Sequence, residues 1–254
     1  MKPYLITTVA GCLTLFISAS VQGSYTYTTL DVSGASLTRA YGIDGGNIAG
    51  YYQDSSYNSH GFSYDGSTYT TLDVSGASST VAHGIDGGNI VGYYSDGGYH
   101  GFSYDGSTYT TLDVPGATGG TYGYDIDGGN IAGQYYASGW HGFIYDGTTY
   151  TPLDVPGAYG TYARGIDGGN TVGYYNDSSY NSHGFSYDGT SYTTLDVPGA
   201  TATYAYDIDG GTIVGYYTDH AGDYHGFLAT IPEPSTALLL CLGLLALATG
   251  RWNR

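Results

Sequence analysis

"HGFSYDGSTYTTLDV" spans His60–Val74 and returns unchanged at His100–Val114. It returns again at His183–Val197 as "HGFSYDGTSYTTLDV". A catalytic site is rarely written several times in one chain, whereas a structural unit often is. Working outward, the Leu-Asp-Val triplet sets the register, with its aspartate at Asp31, Asp73, Asp113, Asp154 and Asp196, spaced 42, 40, 41 and 42 residues apart. Each unit continues through "SGA" or "PGA", a variable stretch, a segment like "GIDGGNIAGYY", a variable loop, "HGF" and "YDG". A period of roughly 40 residues is the size of one propeller blade.

Each unit reads as four short strands. In the first unit these are "AYGID" (Ala40–Asp44), "NIAGYY" (Asn47–Tyr52), "HGFSY" (His60–Tyr64) and "TYTTLDV" (Thr68–Val74). Tyr, Thr, Ile and Val dominate them and suit a pleated, half-buried surface. A Gly-Gly pair separates the first two, and Asp65-Gly66 is expected to supply the positive φ values of a tight hairpin. The phase of the repeat adds to this. Removal of the first 23 residues leaves a chain that opens on a fourth strand alone, "SYTYTTLDV" (Ser24–Val32), and closes on a third, "HGFLAT" (His225–Thr230). An open array would leave unpaired strand edges at both ends. The expectation is therefore all-β: a five-bladed β-propeller of four-stranded antiparallel blades, with the N-terminal strand completing the last blade. A β-solenoid is the runner-up, but it calls for capping ends.

The chain is acidic, with a formal net charge of −17. All 21 aspartates lie between the ends, where Arg39 and Arg164 are the only fixed cations. Such a surface repels phosphate backbones, which excludes nucleic acid as a partner. Divalent cations, neutral glycans and cationic surfaces stay open. Both cysteines, Cys12 and Cys241, lie in the apolar ends, so the middle must be held by packing and strand pairing.

The ends read as addresses. Residues 1–23 carry Lys2, an apolar run and small residues, the layout of a secretory signal peptide cut after Gly23 or Ser20. Residues 231–254 contain Pro232-Glu233-Pro234, an apolar run from Ala237 to Ala248, and the basic tail Arg251 and Arg254. Together these resemble the PEP-CTERM sorting signal of Gram-negative, exopolysaccharide-producing bacteria. The resemblance implies recognition and cleavage by an exosortase, transient residence in the inner membrane through a C-terminal transmembrane helix, and delivery to the cell surface or extracellular matrix. Between them, residues 24–230 form the five-repeat domain. Its unit, as in "GIDGGNIVGYYSDGGYHGF" (Gly84–Phe102), resembles the HAF-type extracellular repeats of bacterial surface proteins. Here Asp stands where Asn is usual in that pattern, and Gly follows His.

Candidate chemistry is spread thinly. The five histidines of "HGF" read first as loop caps or backbone partners, since three or four could share a metal only at a ring's axis. The "IDGG" and "YDG" aspartates read first as turn formers. Calcium is the cofactor considered, at Asp125 with Asp127 and Asp207 with Asp209, where a second carboxylate joins the turn. A glycosidase needs two carboxylates in different environments. Asp125 and Asp207 are the only carboxylates on a strand that break the repeat, so the chain is not expected to be an enzyme; a glycan-active hydrolase is the alternative. Function is sought where the copies disagree: the column Tyr41, His83, Tyr124, Arg164 and Tyr206 before the Ile-Asp pair, and Trp140 before "HGF". The reading is an exported, non-enzymatic repeat protein of the surface or biofilm matrix, structural or binding extracellular polysaccharide weakly at several sites.

Overall fold

A computed structural model describes residues 28–231. All five sheets lie in one compact unit. The signal segment, the C-terminal helix and the sorting residues Pro232, Glu233, Pro234, Arg251 and Arg254 lie outside the described residues. Among the described residues, no helix is long and apolar enough to cross a membrane.

The protein is an all-β, five-bladed propeller. Blade 1 holds β1 (Leu37–Asp44), β2 (Asn47–Gln53), β3 (Ser59–Tyr64) and β4 (Tyr69–Leu72). Blade 2 holds β5 (Ser79–Asp86), β6 (Asn89–Ser95), β7 (Tyr99–Tyr104) and β8 (Tyr109–Leu112). Blade 3 holds β9 (Thr121–Asp127), β10 (Asn130–Tyr136), β11 (Trp140–Tyr145) and β12 (Tyr150–Leu153). Blade 4 holds β13 (Gly160–Asp167), β14 (Asn170–Asn176), β15 (Ser182–Tyr187) and β16 (Tyr192–Leu195). Blade 5 holds β17 (Ala202–Asp209), β18 (Thr212–Thr218) and β19 (Tyr224–Thr230). Each sheet is an antiparallel meander in chain order, because every connection within a unit is too short for a crossover.

Local chemistry sets the turns. Gly45 and Gly46 have φ of 54° and 91°, the two left-handed positions of a type I′ hairpin, which suits the right-handed twist of its strands. The Asp65-Gly66 turn differs from the sequence expectation. Only Gly66 is left-handed there, at φ 91°. Asp65 instead accepts the backbone N–H groups of Ser67 and Thr68 at 2.9 and 2.7 Å, closing the loop with its side chain. The first strand of each blade carries a bulge opposite the glycine of the second, as between Ala40 and Gly42 opposite Gly50. The bulge turns the inner strand as it passes the adjoining blade.

Cores form between blades. Ala49 and Leu72 of blade 1 pack with Ala82, Ile85, Ile90 and Phe102 of blade 2. The same arrangement joins blades 2 and 3, 3 and 4, and 4 and 5. Polar latches accompany each junction. Asp44 accepts the N–H of Gly87 in the next blade's Gly-Gly turn at 2.9 Å, and Asp86, Asp127 and Asp167 do the same for Gly128, Gly168 and Gly210. These aspartates therefore serve the neighbouring blade's turn rather than their own. A buried threonine adds a second latch: Thr161 accepts the Val155 N–H at 3.1 Å. Thr161→Val is expected to lose about 1–3 kcal/mol by stranding that N–H, whereas Thr161→Ser keeps most of it; thermal melts separate the two.

The expected closing strand is not seen. Among the described residues blade 5 has three strands, and residues 28–36 form none; residues 24–27 lie outside the described range. The Val32 N–H donates to Thr38 Oγ1 at 3.1 Å, as Val74 does to Thr80. The chain entering blade 1 thus follows the same path as the end of a fourth strand, without a partner strand in blade 5.

Candidate functional site

The first strand of each blade lies innermost, so the column before the Ile-Asp pair converges. Tyr41, His83, Tyr124, Arg164 and Tyr206 all line one cavity of about 560 Å³, together with Asp125, Asp127, Asp207 and Asp209. A cavity of this size falls within the range of small-molecule sites.

The column is a continuous stack. The Tyr41 and His83 rings lie parallel with centroids 4.4 Å apart, and His83 meets Tyr124 edge-on at 5.1 Å. The Arg164 guanidinium sits 4.0 Å from the Tyr124 ring centre, 5.4 Å from that of Tyr174 and 6.0 Å from that of Tyr206. It donates from Nη2 to the Tyr174 hydroxyl at 3.1 Å. Its Nε is buried with no acceptor among the described residues. No carboxylate forms a salt bridge with it there, although aspartates outnumber arginines heavily. The charge is held by aromatic faces instead, an arrangement worth most where water is excluded.

The electrostatics follow from burial. Loss of solvation, with the Arg164 charge adding to it, holds His83 down at about 3, so its imidazole is neutral and acts as a flat polar surface. Burial raises Tyr124 as well, and Arg164 partly offsets this. Asp125 is pushed by burial up to about 7, against the pull of the Ile166 and Ile126 N–H groups, which it accepts at 2.8 and 2.9 Å. Burial also raises Asp207, whose Oδ1 accepts the Ile208 N–H at 2.8 Å. Asp127 is committed to Gly168. Among the described residues no group of three His, Cys, Asp or Glu side chains is placed to hold a metal ion. The aspartates considered for calcium are largely engaged with backbone N–H groups.

Two other sequence candidates lie elsewhere. Trp140, on β11, packs among Tyr122, Tyr136 and Tyr162 at 5.3–6.0 Å and does not line the cavity. The "HGF" histidines do not meet at an axis. His100 Nδ1 lies 2.9 Å from Asp113 and its Nε2 3.2 Å from Asp96, while its ring stacks on Tyr94. His60 and His183 repeat this with Asp73 and Asp54, and with Asp196 and Asp177. The partners of these three are carboxylates, one from the loop before the strand and one from the Leu-Asp-Val triplet, so each ring ties down its loop; His141 pairs with Asp154 and has a backbone partner as well, its Nε2 lying 3.3 Å from the Ala137 carbonyl oxygen. Residues the sequence reading passed over are Tyr174, which completes the arginine's cage, and Gln134, which replaces the usual tyrosine of that column and buries an unpaired Oε1. The break in an otherwise regular Tyr column was the signal for Gln134.

Comparison with known proteins bears on the tail and on the fold. Residues 230–254 match the PEP-CTERM protein-sorting motif. The motif indicates export and C-terminal sorting in Gram-negative bacteria, with processing by an exosortase. No curated protein matches the chain by sequence. Among solved structures, a TolB-type protein of Agrobacterium tumefaciens is 16% identical, with a TM-score of 0.52 over 80% of this chain and 78% of its own. A triple mutant of AofleA from Arthrobotrys oligospora is 14% identical, with a TM-score of 0.50 over 78% of this chain and 71% of its own. A point mutant of the Aleuria aurantia lectin in complex with alpha-methyl-L-fucoside is 16% identical, with a TM-score of 0.49 over 78% of this chain and 74% of its own. At these identities the first two likenesses speak for the propeller fold alone.

Proposed function

We propose that this protein is displayed at the bacterial surface or in the exopolysaccharide matrix and binds a glycan in its central cavity, without chemical turnover. The single observation that carries the reading is the Tyr41–His83–Tyr124–Arg164–Tyr206 stack around that cavity. Flat aromatic faces suit the apolar faces of sugar rings. Five near-identical blades thereby make one asymmetric site, so multivalency comes from many copies at the surface rather than from five equal faces. The HAF-like repeat pattern agrees with a surface role.

The test is calorimetric titration of the full chain with a panel of bacterial polysaccharides, neutral and uronate-containing, with and without calcium. Binding is expected with Kd values weak for one site, and Arg164→Met and Tyr124→Ala should each weaken it about tenfold or more. Absence of binding across the panel in both conditions would leave a purely structural role. A hydrolytic reading has one observation in its favour, the raised Asp125 beside Asp207 in the same cavity. Release of reducing ends by the wild type, lost in the Asp125→Ala/Asp207→Ala variant, would establish it over the binding reading.

A further inference from the structure

Three of the loops joining the second and third strands of a blade are built alike. In blade 4, Asp177 Oδ1 accepts the backbone N–H groups of Ser179 and Asn181 at 2.8 and 2.9 Å, and the Tyr180 N–H donates to the Asp177 carbonyl at 3.0 Å. Blade 1 repeats these bonds with Asp54, Ser56, Tyr57 and Asn58, and blade 5 with Asp219, Ala221, Gly222 and Asp223. The fourth residue of the turn is left-handed in all three, with φ of 66° at Tyr57, 66° at Tyr180 and 86° at Gly222. Glycine adopts that conformation freely and closes the turn in blade 5, whereas a tyrosine there is strained. Burial does not offset the strain, since Tyr57 is 75% exposed and Tyr180 is 66% exposed. Blade 4 adds a second departure from the repeat. The residue leading into the first strand, whose N–H donates to the last carbonyl of the second, is Ser36, Ser78, Thr118 or Thr201 in the other blades and Tyr159 in this one. Tyr159 is 59% exposed, and its ring centre lies 4.6 Å from that of Tyr180, the planes inclined at 55°. Two breaks in the pattern thus bring two exposed rings together.

We propose that Tyr159 and Tyr180 form a second glycan site, which stacks on the pyranose faces of a neutral, equatorially linked polysaccharide. Its glycan class rests on the surface reading given above; the strained turn and the ring pair do not. Neither tyrosine lines the central cavity, and their loops lie at the end of blade 4 opposite the Gly168–Gly169 turn. Aromatic faces suit the apolar C–H faces of sugars, and a β-1,4-linked glucan chain is flat enough to present them. The loop is fixed before any ligand arrives, so little ordering is left to oppose binding. Exposed Ser178 and Ser179 place hydroxyls beside the Tyr180 ring. The charge of the ligand follows from the surroundings. Ionised Asp177 lies in the turn, and Asp196 faces the same His183. No lysine or arginine occurs in residues 157–163 or 176–197. Uronates and phosphates are therefore repelled, and a neutral chain is not. Tyr57 offers one ring without a second, since Ser36 stands where blade 4 has Tyr159, and makes the weaker contact.

Native electrophoresis of the full chain through gels containing hydroxyethyl cellulose, a soluble β-1,4-glucan, tests this, with alginate gels as the anionic comparison. The wild type is expected to be retarded by the glucan and not by alginate. Tyr180→Gly should weaken the glucan affinity about tenfold. Its melt should stay within a few degrees of the wild type's, because glycine suits the turn. Tyr159→Ser, which installs the residue of blades 1 and 2, should weaken binding likewise, and Tyr57→Gly should do so less. Arg164→Met separates the two sites. If the cavity reading alone fails, Arg164→Met leaves retardation unchanged and Tyr180→Gly still reduces it. If the present inference alone fails, Tyr180→Gly binds as the wild type does and Arg164→Met does not. A wild type that the glucan does not retard, or that alginate retards equally, also overturns it. So does a Tyr180→Gly variant melting about 5 °C or more below the wild type, which would give the exposed ring a structural role.

Discussion

Gly92→Ala is expected to destabilise the propeller by about 3 kcal/mol or more, a fall in Tm on the order of 10 °C. Gly92 sits in the middle strand of blade 2, opposite the bulge between Ala82 and Ile85. A Cβ placed there would lie 2.1 Å from the Val81 carbonyl oxygen and 2.9 Å from the Phe102 ring. Neither neighbour can retreat. The carbonyl belongs to the paired strand, and Phe102 is buried in the core between blades 1 and 2. The same close approach recurs at Gly50, Gly133, Gly173 and Gly215. Gly98→Ala is the control, since its Cβ would meet only the far end of the His100 side chain. Thermal melts of both variants check the prediction. A Gly92→Ala variant melting within a degree or two of the wild type would mean that the bulge relaxes, and with it the account of inter-blade packing.

The second large effect is on pH dependence: stability is expected to fall as pH rises from about 6.5 to 8, the reverse of simple acid denaturation. Asp125 is raised from 3.8 to about 7 by burial. Between those values the folded chain holds a proton that the unfolded chain releases, so stability declines across that window and levels off above it. His100 acts in the same direction. Its bond to Asp113 raises it above 6.5, with Asp96 adding to this against the effect of burial. Burial pulls His60 and His183 down, but their flanking carboxylates outweigh it and raise both. The stabilisation from a raised histidine is complete below its unfolded value and is lost as pH climbs through the folded one. Asp54 and Asp177 work at the opposite end. Bonds from Asn58 and Asn181 hold them at about 2, so what they contribute is lost only as pH falls below 3.8. His83, held at about 3, opposes Asp125: below 6.5 the unfolded imidazole takes up a proton that the folded one does not, so the two largely offset between about 4 and 6.5 and the net fall begins near 6.5. Melting curves at closely spaced pH values measure the slope. The His60→Gln/His100→Gln/His183→Gln variant should flatten the part above about 6.5, and Asp125→Asn should leave the His83 contribution unopposed, so that stability climbs between about 4 and 6.5. A Tm that climbs steadily from pH 5 to 8 would contradict both assignments.

Much of this architecture was legible because it is local and repeated. The runs read as strands at Asn47–Tyr52 and His60–Tyr64 fall within β2 and β3, and period, blade count and meander order follow from residues close in sequence. The Tyr41, His83, Tyr124, Arg164 and Tyr206 column was legible for another reason: difference among copies marks a position released from the scaffold, and the innermost strand brings five such positions together. Trp140 showed the same irregularity yet sits on a third strand, where the same reasoning has no means of telling a site from a covered edge. The Asp latches were not legible as such, since Asp44 meets Gly87 across 43 residues and a blade boundary. A short aspartate beside its own glycine turn looks self-sufficient in one dimension.

The latches all point one way: the aspartate of an earlier unit holds the turn of the next. Export delivers a chain to its compartment amino end first. A unit that has emerged and folded before its successor would present it with a carboxylate and an apolar wall. Assembly can then follow the order of emergence without waiting for distant partners. The order of secretion is thereby written into the direction of a hydrogen bond.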